Sequence, residues 1–173
     1  MVQDRSFTIV QEGPEDHAGV EALYDAAFGP GRFVKTAERL REGNARIPEA
    51  SFLARDSEGV CAAVRLWPVE TGSGGRAALL GPLAVAARQR GRGVAFGLME
   101  RSIGVCRELG FPAVILVGDV AYYERWAFRR AQAGRFQLPG PVDPARILVR
   151  DLSPDAAVLS GMLSVPRTAL VSG

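Results

Sequence analysis

Residues 83–95 read Leu83-Ala84-Val85-Ala86-Ala87-Arg88-Gln89-Arg90-Gly91-Arg92-Gly93-Val94-Ala95, a short apolar run that passes into an amphipathic segment through a bend with two glycines and three arginines. A strand that feeds a helix through such a bend points several backbone N–H groups into one concavity, at the positive end of the helix dipole. That arrangement suits an anion, phosphate above all. A side chain at Gly91 or Gly93 would crowd a ligand lying against the backbone, while Arg88, Arg90 and Arg92 add three cations in five residues. The same letters also describe a plain glycine-bearing connection with solvated arginines, and spacing alone leaves both readings open.

The flanks give the bend its setting. Upstream, Ser51 to Arg55, Gly59 to Val69 and Arg76 to Val85 read as three strands joined by Asp56-Ser57-Glu58-Gly59 and Thr71-Gly72-Ser73-Gly74-Gly75, turns short enough for an antiparallel meander. Before them, Phe7 to Val10 reads as a strand. Pro14 opens a helix with Val20, Leu23, Tyr24 and Ala27 on one face, broken at Gly29-Pro30-Gly31, and Phe33 to Glu42 reads as a second helix. Downstream, a helix from Gly93 to Leu109 carries Ala95, Leu98, Met99, Ile103 and Cys106 on one face. Ala113 to Val117 is a continuous apolar run, as a strand covered on both faces should be, so the sheet turns locally parallel across the crossover. Ala121 to Trp126 reads as a short helix, and Phe128 to Ala131 and Ile147 to Leu152 as the last strands.

The 173 residues fit one domain that can bury a core without disulfides or metal, and 21 basic against 19 acidic residues leave a net charge of +2. So even a balance argues against a nucleic-acid coat or a polybasic membrane anchor. Twenty of the cations are arginine and only Lys35 is lysine. Cys61 and Cys106 are far apart with no second ligand nearby, so no metal site is expected and both thiols should be reduced and buried. The lone histidine, His17, reads as a solvated surface residue. Asp4, Arg5 and Glu12 stand where a secretory signal would be apolar, and no uncharged run approaches the roughly 20 residues of a membrane span. A cytoplasmic protein is expected.

Two familiar phosphate loops do not fit. A dinucleotide fingerprint needs glycine where Phe96 stands, and a Walker loop needs glycine, not Val34, before Lys35-Thr36. A third pattern does fit: Arg90-x-x-Gly93-x-Ala95, after a meander and before an amphipathic helix, resembles the acyl-CoA signature of the GNAT superfamily of N-acetyltransferases. Tyr123-Glu124-Arg125-Trp126-Ala127-Phe128 resembles the family's Tyr-x-x-x-Gly-Phe, and Val117-Gly118-Asp119 with Tyr122-Tyr123 resembles a bacterial subgroup of predicted acetyltransferases. The resemblance covers about residues 7–131, with C-terminal strands and a tail over 132–173.

The resemblance implies an α/β (α+β) fold in one N-acetyltransferase domain over residues 1–173, with a mixed, mostly antiparallel central sheet and helices on both faces. It implies acetyl-CoA as cosubstrate, its pantetheine arm on the backbone of Leu83, Ala84 and Val85 and its pyrophosphate on the N–H groups of Arg90, Gly91, Arg92, Gly93, Val94 and Ala95. Gly81-Pro82 suits a bulge that splays the strand, since proline lacks a ladder donor and glycine tolerates unusual dihedrals. Direct attack of an amine expels a thiolate of pKa near 8.5, which a tyrosine of pKa about 10 can protonate. Tyr123 is the implied general acid, with simple packing as the other reading of the tyrosine pair. A general base would be Glu70 or Asp119, the acids near the ends of two central strands, each also readable as a solvated strand end.

Ala127 stands where the family has glycine, and the strand over 76–85 holds no acid. The alternative function is therefore a catalytically degenerate acyl-CoA-binding sensor or scaffold. The acceptor, a small-molecule or peptide amine, is not legible. No nucleic-acid or membrane partner is expected, and a homodimer through the last strands rests on family analogy. Arg125, Arg129, Arg130 and Arg135 follow the tyrosine and are expected, with Arg88, Arg90 and Arg92, to border one cleft suited to a ligand with several phosphates.

Overall fold

In the computed structural model, which describes residues 6–167, the meander around the bend is the centre of a seven-stranded sheet. Asp4, Arg5 and the end of the tail, 168–173, lie outside the described residues. The chain runs through β1 (Thr8–Gln11), α1 (His17–Phe28), β2 (Phe52–Asp56), β3 (Gly59–Glu70), β4 (Arg76–Val85), α2 (Val94–Glu108), β5 (Ala113–Val117), α3 (Val120–Tyr123), β6 (Arg129–Arg130), β7 (Phe136–Gln137), β8 (Ile147–Asp151) and β9 (Gly161–Met162). The large sheet has the order β1-β2-β3-β4-β5-β8-β6, and β7 and β9 form a small second sheet. Within the large sheet only the β4–β5 pair is parallel. This is the mixed, mostly antiparallel α/β fold that the sequence implies.

Alternation along the strands decides which helix each face receives. Leu53, Ala63 and Ala84 point to α1, where they meet Val20, Leu23 and Tyr24, while Ala54, Ala62 and Val64 point to α2 and its Leu98, Met99 and Ile103. Helices thus cover both faces. β5 is buried from Ala113 to Leu116, as its unbroken apolar run requires, and β8 pairs with it antiparallel from Ala113↔Asp151 to Val117↔Ile147. Cys61 and Cys106 are free and buried, and His17 is exposed.

The expected second helix over Phe33 to Glu42 is two short 3-10 turns, Pro30–Val34 and Thr36–Leu40, separated by Lys35 in extended conformation at φ −68, ψ 142. A helix of that length has little stability of its own, and side-chain anchors override it. Arg32 is bonded back to Glu21 and Asp25 of α1, and Thr36 and Arg39 donate to the carbonyls of Pro141 and Pro139. The short helix expected over Ala121 to Trp126 is α3 followed by a 3-10 turn, Glu124–Trp126. Beyond residue 131 the strand expected over Ile147 to Leu152 is β8, whereas β7 and β9, two residues each, are too short to leave a period in the sequence. Arg135 holds this region, its guanidinium donating to Leu159 O at 3.1 Å and Ala156 O at 2.6 Å.

Ala127 takes up the left-handed conformation that glycine would, at φ 60. For a residue with a Cβ that conformation costs roughly 1–2 kcal/mol. Ala127→Gly should therefore raise stability by about 1 kcal/mol after the entropy of the added glycine is set against the relieved strain, read as a higher midpoint in urea unfolding at unchanged slope.

Candidate active site

Two hydrogen-bonded rungs join β4 to β5, Ala78↔Val114 and Leu79↔Ile115, and beyond them the strands part. The parting begins at Gly81-Pro82. There the β3–β4 register slips, from Leu66↔Leu80 to Val64↔Leu83, leaving Arg65 opposite the bulge; Gly81 has φ 134 and its peptide to Pro82 is cis. The carbonyls at the bulge are satisfied by side chains instead of by a neighbouring strand. Trp67 Nε1 donates to Gly81 O at 2.7 Å, and the buried Tyr24 hydroxyl donates to Pro82 O at 2.8 Å.

Beneath the bulge lies an ion network that no motif announces. Arg65 donates to both carboxylate oxygens of the fully buried Glu12, at 2.7 to 3.2 Å, and to Glu21 of α1 at 2.6 Å. Burial works to raise the pKa of Glu21, but hydrogen bonds from Arg65 and Arg32 outweigh it and hold the carboxyl below its ordinary value. The network ties α1 and the turn that carries Arg32 to β3, beside the bulge. Truncating one partner of such a buried pair costs about 3–5 kcal/mol.

The splay opens two adjoining cavities, of about 520 and 630 Å3. In the smaller, Leu83, Ala84 and Val85 form one wall, and Arg90, Gly91, Gly93, Val94 and Ala95 form the floor at the start of α2. Arg92 lies in the same bend, but its residue does not line the cavity. Gly91 and Gly93 sit at φ 74 and 81, and a Cβ on either would point into open space. Gly93 caps α2 without a side-chain hydrogen bond, so the first N–H groups of the helix lack both intrahelical and side-chain acceptors. A phosphate-bearing chain lying along β4 fits this cradle, on backbone donors with Arg90 and Arg125 at its walls.

The arginine field is narrower than expected. Arg88 turns away to Asp56 at the end of β2, with bonds of 2.8 and 3.0 Å, and Gln89 donates to the same carboxylate at 2.8 Å. Those bonds, Arg88's first, hold the Asp56 carboxyl well below the usual carboxylate range, so this anchor of the bend is intact at neutral pH and fails only as strong acid protonates it. Arg129 pairs with Asp151 and Arg135 holds the tail. Of the four arginines that follow the tyrosines, only Arg125 borders the cavity; there its guanidinium lies 4.7 Å from the Tyr122 ring centroid.

Tyr122 and Tyr123 line both cavities. Tyr123 is packed edge-on against Tyr122 at 4.9 Å and against Phe128 at 6.1 Å between ring centroids. Burial, with a smaller push from Tyr122 and opposed by Arg146, raises its phenol to about 12. The ring fits because Gly118 has no side chain: a Cβ there would stand 2.6 Å from Tyr123 Cε2. Gly118→Ala should tilt the ring away from the junction and lower turnover by about tenfold or more, a misplacement effect at the scale of an ångström, with the substrate-free fold retained by circular dichroism.

The two candidate bases separate clearly. Asp119 lines the larger cavity at the end of β5, and its Oδ1 accepts the Ala121 N–H at 3.0 Å as the N-cap of α3. Glu70 does not reach the site. It pairs with Arg76 at the other end of β4, five residues and roughly 17 Å from Gly81 along a strand, and its backbone bridges to Ser164. An antiparallel partner puts the end of β3 beside the beginning of β4, whereas the splay lies towards the end of β4.

A family model described as Acetyltransferase (GNAT) family matches residues 18–130. The uncharacterized N-acetyltransferase YhbS of Escherichia coli (strain K12) is 31% identical over 147 residues, 84% of this chain and 87% of that protein. The crystal structure of the GNAT family N-acetyltransferase YhbS from Escherichia coli, in complex with CoA, matches with a TM-score of 0.77 at 28% identity, covering 96% of this chain and 94% of that one. A GNAT family acetyltransferase from Brucella melitensis, in complex with acetyl-CoA, shares the fold with a TM-score of 0.70 at 21% identity, covering 94% and 97% of the two chains.

Proposed function

The chain belongs to the acetyltransferase (GNAT) family, and from that premise we propose that it transfers an acetyl group from acetyl-CoA to a primary amine by direct attack in a ternary complex. The observation that carries this reading is the junction of the two cavities at Tyr123, with a phosphate cradle on one side and a larger chamber on the other. The CoA bound by the related Escherichia coli protein supports acetyl-CoA as the cosubstrate. Leu83, Ala84 and Val85 would hold the pantetheine arm along the splayed edge, where β5 no longer takes up the ladder of β4. The donors from Arg90 to Ala95 would hold the pyrophosphate. Insertion of β8 between β5 and β6 in the same sheet supports one domain acting as a unit, and the unpaired Cys61 and Cys106 support a reducing, cytoplasmic setting.

The chamber side receives the amine. The new C–N bond forms as the C–S bond breaks, so the nitrogen sheds a proton and the sulfur gains one. A phenol held near 12 gives its proton to an ordinary thiolate, of pKa about 8.5, only uphill. Tyr123 is thus better suited to donate a strong hydrogen bond to the sulfur as charge develops, while the departing thiolate takes its proton from solvent water and the proton from nitrogen leaves to a base. Asp119 is the acid on the chamber wall that can take that proton, directly or through water. Asp119→Asn keeps an N-cap of similar quality and removes the base. It should lower kcat at neutral pH by about 10²-fold, with the loss shrinking as pH rises and free amine replaces ammonium.

Titration calorimetry with acetyl-CoA tests the binding half of the reading. Saturable binding that Arg90→Ala weakens is expected, and absence of binding would contradict it.

A further inference from the structure

The acceptor can be narrowed from the charges on the chamber wall. Arg32 and Arg41 line it, but Arg32 is matched by Glu21 and Asp25, and Arg41 by Glu38. Lys35 and Arg146 also line it, and among the described residues neither has a carboxylate in ion-pair range. The side chain of Lys35 lies over the Phe28 ring at 5.3 Å. Arg146 is at the end of the short turn Pro144–Arg146, and its carbonyl accepts the Gly118 N–H at 2.9 Å. That bond sets Asp119, the next residue, and Arg146 side by side at one end of the sheet without an ion pair between them. The remaining acid of the wall, Asp143, accepts the Ala145 N–H at 3.0 Å and caps the turn. Phe28, Val34, Leu83 and Val142 supply apolar surface around these groups.

A carboxylate and a guanidinium held next to each other and unpaired match a ligand that carries an ammonium and a carboxylate close together. A polyamine or aminoglycoside would instead bring several positive charges against Lys35 and Arg146. We propose that the acceptor is an α-amino acid with an apolar side chain, its carboxylate bound by Arg146 and Lys35 and its ammonium facing Asp119. This inference rests on the reading of the chain as an acetyltransferase.

The test compares leucine, leucinamide, isopentylamine and spermidine as acceptors with acetyl-CoA, and measures thermal unfolding of CoA-loaded protein with N-acetyl-leucine and N-acetyl-leucinamide. A hydrogen-bonded charge pair is worth about ten- to a hundredfold, so leucine should exceed each of the other three in kcat/KM by about tenfold or more. Arg146→Gln should lower kcat/KM for leucine by a similar factor and leave leucinamide within about twofold, a selective loss that general damage to the fold would not produce. Equal or faster turnover of leucinamide, isopentylamine or spermidine would overturn the proposal. If no amine is acetylated, the acetyltransferase reading fails, while the unfolding measurement still decides the carboxylate site. Stabilisation by N-acetyl-leucine alone supports that site, and equal or absent stabilisation by both compounds overturns it.

Discussion

Tyr123→Phe should lower kcat by about 10²–10⁴-fold, the range for loss of a positioned proton donor, with the affinity for acetyl-CoA unchanged. The substitution removes one oxygen and nothing else. The ring would keep its edge-on contacts with Tyr122 and Phe128 and its seat over Gly118, so packing offers no alternative explanation for the loss. Because burial holds the phenol near 12, its proton stays in place throughout the range in which the protein can be assayed. The kcat profile should therefore show no alkaline fall from this phenol below that pH, and the rise on the acid side belongs to the amine losing its proton. Turnover within a few-fold of the unsubstituted enzyme would move the role to Tyr122, which also borders both cavities.

Gly93→Ala should abolish the stabilisation that acetyl-CoA confers. Two effects act together. Gly93 is left-handed at φ 81, which costs an alanine roughly 1–2 kcal/mol, and the added methyl occupies open space directly over the N-terminus of α2. The first effect lowers the midpoint of the free protein slightly. The second removes the ligand-dependent shift, worth about 2.7 kcal/mol at a hundredfold excess over the dissociation constant. Gly104 is the internal control: it lies within α2 with equally open space around it but without positive φ. Gly104→Ala should stabilise the protein by up to about 1 kcal/mol through helix propensity and leave the ligand shift intact. If Gly93→Ala keeps that shift, the cradle has been assigned to the wrong anion or to none.

What could be read in the sequence follows from how local each feature is. The bend between β4 and α2, the burial of β5 and the α2 face all depend on residues within one turn or one strand, and the bounds expected for β4 and β5 coincide with the observed ones. The lining residues Leu83 to Val85 and Arg90 to Ala95 were legible for the same reason, since one strand-to-helix connection carries them; Arg92 alone falls outside the cavity wall.

Features fixed by distant partners were not legible. Three anchors to α1 and to the carbonyls of Pro139 and Pro141 turn Phe33 to Glu42 into two 3-10 segments, and nothing in that stretch names those partners. Arg65 lies 53 residues from Glu12 and 44 from Glu21, and the three meet where Arg65 stands opposite the bulge between β3 and β4. Arg88 looks like a phosphate ligand beside Arg90, but its partner, Asp56, comes from the preceding hairpin. Glu70 lines neither cavity for a reason of register: β3 and β4 are antiparallel, so the end of β3 lies beside the beginning of β4, away from the splay. The larger cavity takes part of its wall from the 3-10 segments and from Asp143 and the turn Pro144–Arg146, the parts with the weakest periodicity.

The most direct test of the central claim is the release of CoA thiol from acetyl-CoA in the presence and absence of a panel of primary amines that includes amino acids, polyamines and peptide amino termini. Acetyl transfer predicts thiol release that depends on at least one amine, saturates with it and yields the matching N-acetyl product. Saturable acetyl-CoA binding with no amine-dependent release across the panel would contradict it and leave an acyl-CoA-binding module without turnover.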